Sequence, residues 1–380
     1  MKNGWQIEPI GNLCDVLDNR RKPITKRDRV AGYYPYYGAT GILSHVEGYL
    51  FDEKLVLVGE DGAKWGSGEM TAFSTEGKIW VNNHAHVLRP QRDKVLDNWL
   101  VYFLNHSDLS KYVSGLTVPK LNQGSLREIL IPLPPLPEQK RIVGILDKAF
   151  DGIATAKANA EKNLQNAREI FESHLQAVLT QRGEGWVNQT LEQVCIVERG
   201  SSPRPIKSYL TTKTDGVNWI KIGDTEKGGK YVSSTAQKIT PEGAKQSRFV
   251  KEGDFILTNS MSFGRPYIMK TSGCIHDGWF VLRLNTSVDA NYFYYLLSSR
   301  FVQDQFARLA SGSVVKNISG DLVKQAVLPI PPLEHQHVIV KKISELSTET
   351  QRLEAVYQKK IDTLDELKKS LLHQAFAGEL

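Results

Sequence analysis

The chain has 380 residues, more than a single compact core usually organises, so two or three domains are expected. Its 41% hydrophobic and 24% charged residues are ordinary for a globular protein and exclude a disordered or fibrous chain. The net charge of +6 suits a nucleic-acid-binding protein without requiring one. No apolar run has the length of a membrane span and no signal-peptide core stands near the start, so a cytosolic protein is expected.

The first 130 residues have a mixed α/β pattern. Short β-like runs occur at Lys54–Val58 and Ile79–Val81, and a helical pattern covers Asn98–Leu109. Gly59-Glu60-Asp61-Gly62 follows the first run and indicates a turn rather than a pair of catalytic acids. This part predicts an α/β domain with short strands and many loops.

A proline-rich segment, Ile131 to Leu136 (IPLPPL), precedes a long helical pattern. Its prolines favour an extended strap, and Glu138 suits the start of a helix; a ligand for a proline-binding domain is the alternative. Apolar or small residues then recur in ten steps over 36 residues, a period of 3.6. They are Ile142, Leu146, Ala149, Ile153, Ala156, Ala160, Leu164, Ala167, Phe171, Leu175 and Val178.

After the glycines at 183 and 185, the chain repeats this plan. β-like runs occur at Phe255–Thr258 and Trp279–Leu284, and a helical pattern covers Asn291–Ala310. A second proline segment, Leu328 to Leu333, again precedes ten helical steps over 36 residues. The members of this second stripe are Ile339, Ile343, Leu346, Thr350, Leu353, Tyr357, Ile361, Leu364, Leu367, Leu371 and Ala375.

The two halves are copies of one unit. Residues 131–143 and 328–340 match at seven of 13 positions, at an offset of 197, whereas the starts of the halves correspond at an offset of 181. The middle of the second copy therefore contains roughly fifteen extra residues. Cys14 and Cys195 occupy equivalent places, and together with Cys274 they are predicted to be small buried residues rather than metal ligands or disulfide partners.

Each long helix has a narrow apolar stripe that needs a partner. The duplicate helix supplies one, so an antiparallel pair related by an approximate two-fold axis is predicted; the alternative is that each helix packs on its own domain. The predicted fold class is thus α/β (α+β) for two copies of one domain, related by pseudo-two-fold symmetry and separated by a coiled-coil-like pair of long helices.

These residues resemble the specificity subunit of type I restriction–modification enzymes. Ile131 to Gln139 (IPLPPLPEQ) is similar to the central conserved motif of that family, and Leu371 to Leu380 resembles its usual ending. Tyr34–Ala39 and Asn82–Val87 resemble recurrent phrases of its recognition domains, as do Gly253–Leu257, Gly264–Pro266 and Cys274–Trp279. The second strap departs from the motif, because Glu334 is displaced by one position and the second proline is lost, which leaves the start of the second helix open.

The resemblance implies recognition domains at 1–137 and 183–333 and long conserved helices at 138–182 and 334–380. It implies a non-catalytic subunit whose two domains each read one half of a split, non-palindromic DNA sequence, with the helix pair setting the spacer. It further implies two docked adenine-methylating modification subunits, which carry S-adenosylmethionine, and restriction subunits in the full complex. The resemblance also implies that the protein acts in the cytoplasm of a prokaryote.

The candidate DNA contacts are loop residues whose side chains suit base edges or phosphates. Arg favours guanine and Asn favours adenine, while Lys and Ser more often touch phosphate; burial is the alternative for each aromatic and a solvated surface for each Lys. In the first half they are Tyr36, Tyr37, Lys64, Trp65, Asn82, Asn83 and Lys120. In the second half they are Arg199, Ser201, Arg204, Lys221, Asn259, Ser260, Arg265 and Lys316.

The sequence gives little indication of metal binding, cofactor binding or catalysis. His84 and His86 form an i, i+2 pair, but no third ligand stands at a convincing position, so no metal is predicted. No Walker-type loop or serine-nucleophile elbow is present in the sequence, and no cofactor is expected on this chain. The competing functions are a structural adaptor whose paired domains bind protein or RNA, and, more weakly, a nuclease with a carboxylate–lysine cluster.

Overall fold

A computed structural model describes residues 4–115, 117–226, 228–259, 264–285, 287–310 and 319–380. It divides into two compact units. The first unit comprises Met1–Lys162 and Tyr357–Leu380, and the second comprises Asn163–Val356. Each unit therefore contains one globular head, part of the long helix that follows that head, and part of the other long helix. This grouping differs from the four predicted segments because each long helix contributes to both units.

The strands of the first unit are β1 (Gln6–Pro9), β2 (Cys14–Val16), β3 (Ala31–Gly38), β4 (Gly41–Val46), β5 (Phe51–Asp52), β6 (Leu55–Gly59), β7 (Ala72–Thr75), β8 (Lys78–Val81), β9 (Ala85–Pro90), β10 (Val113–Ser114), β11 (Lys120–Leu121) and β12 (Leu130–Leu133). Its helices are α1 (Ile10–Leu13), α2 (Asp97–His106), α3 (Gln123–Arg127), the first part of α4 (Leu136–Thr180) and the last part of α10 (Leu333–Ala377).

Two four-stranded sheets form the first head. One has the order β2-β9-β6-β7 and is antiparallel; the other has the order β4-β3-β8-β5, in which β3 and β8 are parallel. The first part of the proline segment lies in β12, which forms a two-stranded antiparallel sheet with β1, from Gln6↔Leu133 to Pro9↔Leu130. A two-stranded ladder tolerates Pro132 because its missing N–H can face away from the partner strand.

The strands of the second unit are β13 (Val187–Thr190), β14 (Cys195–Arg199), β15 (Leu210–Thr211), β16 (Val217–Ile220), β17 (Tyr231–Val232), β18 (Gln237–Ile239), β19 (Arg248–Val250), β20 (Phe255–Thr258), β21 (Pro266–Met269), β22 (Gly273–Ile275), β23 (Trp279–Leu284) and β24 (Val327–Ile330). Its helices are the last part of α4, α5 (Leu191–Val194), α6 (Pro241–Lys245), α7 (Ala290–Ser298), α8 (Arg300–Ala310), α9 (Gly320–Lys324) and the first part of α10 (Leu333–Ala377).

The second head repeats the first with additions. Its sheets have the orders β14-β23-β20-β21-β17 and β15-β18-β16-β22-β19, and the proline strand β24 pairs with β13. The predicted strands at Phe255–Thr258 and Trp279–Leu284 have the predicted limits. The predicted helix over 291–310 is two helices, because the chain breaks at Ser299, whose backbone is extended.

Both long helices start at equivalent residues, Leu136 and Leu333. The displaced Glu334 and the lost proline of the second strap thus leave its helix start unchanged. The first turns of both long helices also pack in the cores of the heads. Cys14 and Cys195 are buried in these cores, as predicted. Burial raises the pKa of each of these two thiols to about 12, so both remain protonated.

The two long helices run antiparallel. Within the first unit, Arg141 donates a hydrogen bond to the Leu380 carbonyl at 2.6 Å, and Lys157 Nζ lies 2.7 Å from both carboxylate oxygens of Asp365. Within the second unit, Arg168 Nε contacts Glu354 Oε1 at 3.0 Å. Residue numbers therefore rise along one helix as they fall along the other, which confirms the predicted pairing.

Most predicted packing residues of the helix pair are sheltered. Ile142, Leu146, Ile153, Leu175, Ile339, Ile343 and Ile361 are buried, and Leu164, Phe171, Leu346, Leu364 and Leu371 are half-buried. Five of them lie in head cores, namely Ile142, Leu146, Leu175, Ile339 and Ile343. The alternative of packing on a head therefore also holds near each helix start and near the end of α4. The prediction is wrong for Leu353, which is 40% exposed, because the neighbouring Glu354 is the residue turned toward Arg168.

The described helices include none that is both long enough and apolar enough to cross a lipid bilayer.

Candidate nucleic-acid interface

In the first unit the polar candidates meet where β6 ends and β9 begins. These strands pair up to Gly59↔Ala85, and the loop Asn82–His84 leads into β9. The Asn82 carbonyl oxygen of the side chain accepts a hydrogen bond from the His84 N–H at 2.8 Å, which shapes this loop. Asn82 is buried by that role, whereas Asn83 and His84 are exposed. Asn83 is therefore the predicted amide that is free to reach a base edge.

Two aromatic candidates belong to the core instead. Tyr36 is 1% exposed; its hydroxyl accepts a hydrogen bond from the Ile24 N–H at 2.9 Å. Trp65 is also buried, and its indole N–H donates to the Gly59 carbonyl at 3.2 Å. The burial alternative therefore holds for both rings, and a base contact by either is inconsistent with the structure.

The other first-unit candidates are accessible to different extents. Tyr37 is half-buried with its ring centroid 5.7 Å from that of Phe73, and burial raises its pKa. Lys64 is exposed, with Nζ 3.7 Å from a Glu69 carboxylate oxygen. Lys120 is half-exposed and its Nζ lies 2.8 Å from Glu60. Lys64 is thus the predicted lysine with the freer ammonium group.

Beneath this loop lies a group of charged residues that the sequence did not predict. His86 Nδ1 lies 2.6 Å from Asp18 Oδ2, and its Nε2 lies 2.7 Å from the Leu121 carbonyl. Glu60 completes the group of potential metal ligands. The sequence offered no convincing third ligand for the His84–His86 pair, and the group found here contains His86 without His84. Pairing of β6 with β9 brings Glu60 near His86.

The contacts of this group do not suit a metal ion. Both His86 ring nitrogens lie within hydrogen-bond distance of oxygen atoms of the chain itself, so neither nitrogen points into open space. Arg21 forms ion pairs with both Asp18 and Glu60, and Lys120 pairs with Glu60. The two carboxylates are thus balanced by cations of the chain itself, and the group supports the loop above it.

In the second unit the equivalent position is organised around Asp277. The Asp277 carbonyl accepts hydrogen bonds from Asn259 Nδ2 at 2.7 Å and from Arg199 Nε at 3.3 Å. Its carboxylate accepts from Ser202 Oγ at 2.6 Å and from Arg204 Nη2 at 3.3 Å. The hydrogen bond from Ser202 is the main reason that the pKa of Asp277 is lowered, so the site presents an ionised carboxylate.

Three predicted residues of the second unit, Arg199, Arg204 and Asn259, therefore come together, although Asn259 is buried. The sequence analysis did not identify Asp277 or Ser202 as site residues. A signal for Asp277 was available, because it lies in the short polar turn between the buried strands β22 and β23. A carboxylate beside guanidinium groups offers both an acceptor for amino groups and donors for guanine, which is the chemistry of direct base readout.

A cavity of about 860 Å³ adjoins Asp277. Its lining includes Pro203, Ile206, Trp219, Lys221 and His276, and burial lowers the pKa of that histidine. Lys221, one of the predicted contacts, thus borders the same region as Arg204.

The remaining predictions are dispersed. The Ser201 hydroxyl donates to the Gln246 carbonyl at 3.2 Å. Arg265 is half-buried and lines a separate cavity of about 480 Å³ with Glu172 and Tyr294. Ser260 and Lys316 lie outside the described residues.

Comparisons with known proteins agree with this architecture. Residues 2–165 and 183–363 each match the family described as "Type I restriction modification DNA specificity domain". A putative type I restriction enzyme specificity subunit of Haemophilus influenzae is 27% identical over 91% of this chain and 89% of its own length. The MjaVIII specificity subunit of Methanocaldococcus jannaschii is 22% identical over 99% of this chain and 93% of its own length.

Solved structures share the fold. A chain from a study of complex assembly and conformational transition in the type I R-M system has a TM-score of 0.79 at 18% identity, covering 100% of this chain and 99% of that chain. The HsdS subunit of Thermoanaerobacter tengcongensis has a TM-score of 0.58 at 18% identity, covering 100% and 98%. The predicted fold class is therefore confirmed. Because the family match covers both copies of the repeat and most of the chain, this protein belongs to the type I restriction–modification DNA specificity family.

Proposed function

We propose that each unit of this type I specificity subunit reads one half of a bipartite, non-palindromic DNA target. The observation that carries the proposal is that the two units share one fold but present different side chains at equivalent loops, before β9 in the first unit and before β23 in the second. The first presents Asn83 and His84, whereas the second presents Arg199, Arg204 and Asp277. Hydrogen-bond donors and acceptors at the base edges determine which base a side chain selects. Two units with the same fold but different loop side chains therefore select different half-sites.

The helix pair sets the spacer between the half-sites and docks two modification subunits. Its two members have a duplicated sequence and run antiparallel, so they offer two similar surfaces to two copies of one partner. Adenine methylation and its S-adenosylmethionine belong to those partners, and restriction subunits join the full complex. The chain itself acts as a non-catalytic reader in the prokaryotic cytoplasm, where its DNA lies.

The proposal is tested by mapping methylated adenines. The chain is co-expressed with its modification partner in a host that lacks other type I systems, and we expect methylation at one interrupted, asymmetric sequence. Replacing residues 1–130 with the equivalent head of another family member should change one half-site and leave the other intact. Simultaneous change of both halves would contradict separate readers, and methylation without any fixed sequence would refute the function.

The adaptor alternative makes a different prediction. A protein-binding or RNA-binding adaptor would not show an affinity for duplex DNA that falls steeply with salt, as phosphate contacts require. Binding of the assembled complex to duplex DNA and to duplex RNA, compared over a range of salt concentrations, separates these functions.

A further inference from the structure

The segment Arg20–Arg29, here called the basic arch, is the most charged stretch of the first unit. Within ten residues it carries six cationic side chains and one acidic side chain, Asp28, while the whole chain has a net charge of only +6. The cationic residues are Arg20, Arg21, Lys22, Lys26, Arg27 and Arg29. None of them is among the predicted DNA contacts.

Three of the six cations contact other parts of the first unit and fasten the arch to the head. The guanidinium groups of Arg20 and Arg29 lie 4.7 and 4.4 Å from the ring centroids of Phe51 and Tyr36. Arg21 pairs with the buried carboxylates of Asp18 and Glu60, beneath the loop Asn82–His84, here called the reading loop. These three side chains are therefore committed to contacts within the protein.

The backbone of the arch is held as well. The Lys22 N–H donates to the Val81 carbonyl at 3.2 Å, and the Lys22 carbonyl accepts from the Trp80 indole N–H at 2.6 Å. The Ile24 N–H donates to the Tyr36 hydroxyl. The arch is thus already fixed against β3 and β8. Because its backbone does not have to become ordered when a ligand binds, binding costs little conformational entropy.

The other three cations face solvent. Lys22 and Lys26 are exposed, and neither has an ion-pair partner among the residues that the structure describes. The Arg27 side chain is 90% exposed and contacts only the exposed neighbour Asp28 in the described part of the chain, at 3.2 Å. In the described part of the chain Lys22 is held through its backbone, so its ammonium group is carried on a fixed main chain and stays accessible.

The arch also borders the reading loop. Arg21 Nη1 donates to the Asn83 carbonyl at 3.4 Å and to the Ala85 carbonyl at 2.8 Å, so it ties the arch to the loop that presents Asn83. A cationic ridge beside a base-reading loop suits DNA better than an acidic protein, since the phosphates flank the base edges in a groove.

We propose that the basic arch is a preformed clamp for the DNA phosphate backbone, in which Lys22, Lys26 and Arg27 contact phosphates beside the bases read by the Asn82–His84 loop. The inference rests on the proposed function and adds residues to it. Phosphate contacts fix register and contribute affinity but carry no sequence information. The clamp should therefore affect binding to all sequences about equally.

The test uses the complex with the modification subunits and a random-sequence duplex. In the K22A/K26A/R27A variant, the slope of log affinity against log salt should become shallower by about 2.7, at 0.9 for each lost phosphate contact. The mapped methylation sequence should stay the same. The K22R/K26R variant should retain the wild-type slope, because it keeps both charges. All three substitutions are at exposed side chains, and thermal unfolding should be unchanged.

A charge-matched control is K111A/R127A/K140A, which removes three exposed cations elsewhere in the first unit. It should leave the slope unchanged; an equal loss in both triple variants, or no loss in the arch variant, would overturn the clamp. Failure of the arch variant to assemble with the modification subunits, with normal DNA affinity once assembled, would instead identify a protein-docking surface and also overturn it. Failure of the wild-type complex to methylate a fixed sequence would refute the proposed function, which is a separate result.

Discussion

Gln139 and Gln336 form equivalent hydrogen-bond sets in the two units. Gln139, in the first turn of α4, accepts a hydrogen bond from the Leu96 N–H at 3.0 Å. Its side-chain amide donates to the carbonyls of Lys94 and Pro134, both at 2.8 Å. Gln139 thus fastens the start of the helix to both the head and the proline segment that follows β12.

Gln336 does the same at the start of α10. It accepts from the Asp289 N–H at 2.8 Å and donates to the carbonyls of Ser287 and Pro331, at 3.4 and 2.9 Å. Both glutamines are fully buried. The glutamine shared by the two proline motifs is therefore the rigid joint between a reading head and its helix.

Gln139→Ala should loosen this joint in the first unit. The substitution leaves a buried N–H and two carbonyls without their partner, so we expect a loss of about 3 kcal/mol in the free energy of unfolding. Urea denaturation measures the loss, and faster hydrogen exchange at Leu96 locates it. The matched control is Gln165→Ala on the exposed face of α4, where a change within about 0.5 kcal/mol is expected. Equal effects of the two substitutions would contradict the role of Gln139.

Asp18→Asn should destabilise the first unit in a pH-dependent way. Burial alone raises the pKa of Asp18, but hydrogen bonds from His86, Gln123 and the Val87 N–H outweigh burial and lower it. A carboxyl group whose pKa is lowered on folding stabilises the fold above its unfolded pKa, near 3.9, and loses that contribution as pH falls through its folded pKa. At pH 7 the variant removes the buried carboxylate that pairs with Arg21 and His86, at a cost of about 3 kcal/mol.

Denaturation of the wild type and of Asp18→Asn at several pH values measures this contribution. The difference in unfolding free energy should be largest at pH 7 and should shrink below about pH 4, as the wild-type carboxyl takes up its proton. Asp52→Asn, at an exposed position in the same unit, is the control and should show little difference at any pH. A constant difference for Asp18→Asn across the range would show that its charge is not the cause.

Ala160→Leu should disturb the helix pair. Ala160 is 2% exposed on α4, so three added carbon atoms have no room, and we expect a loss of about 1–3 kcal/mol. Ala177→Leu on the same helix is the control, because Ala177 is exposed and the larger side chain extends into solvent. Thermal unfolding compares the two variants. An unaffected Ala160→Leu protein would mean that the helices are not closely packed at this position.

The amino-acid sequence by itself determined the duplication, the two long helices and the family. Repeated motifs at nearly constant spacing identify two copies whatever their fold, and apolar residues at a period of 3.6 specify a helix with one sheltered face. The strands at Phe255–Thr258 and Trp279–Leu284 were also predictable, since continuous apolar runs bounded by turn residues have few other solutions.

Only the tertiary structure decided what covers each apolar face and which distant residues meet. A stripe of apolar residues does not state its partner, so the sharing of each helix between two units, and the exposure of Leu353, depended on packing. Tyr36 and Trp65 look like exposed recognition residues by type, yet both fill cores. Asp18, Glu60 and His86 come together because strand register, which depends on pairing between remote segments, brings them to one place.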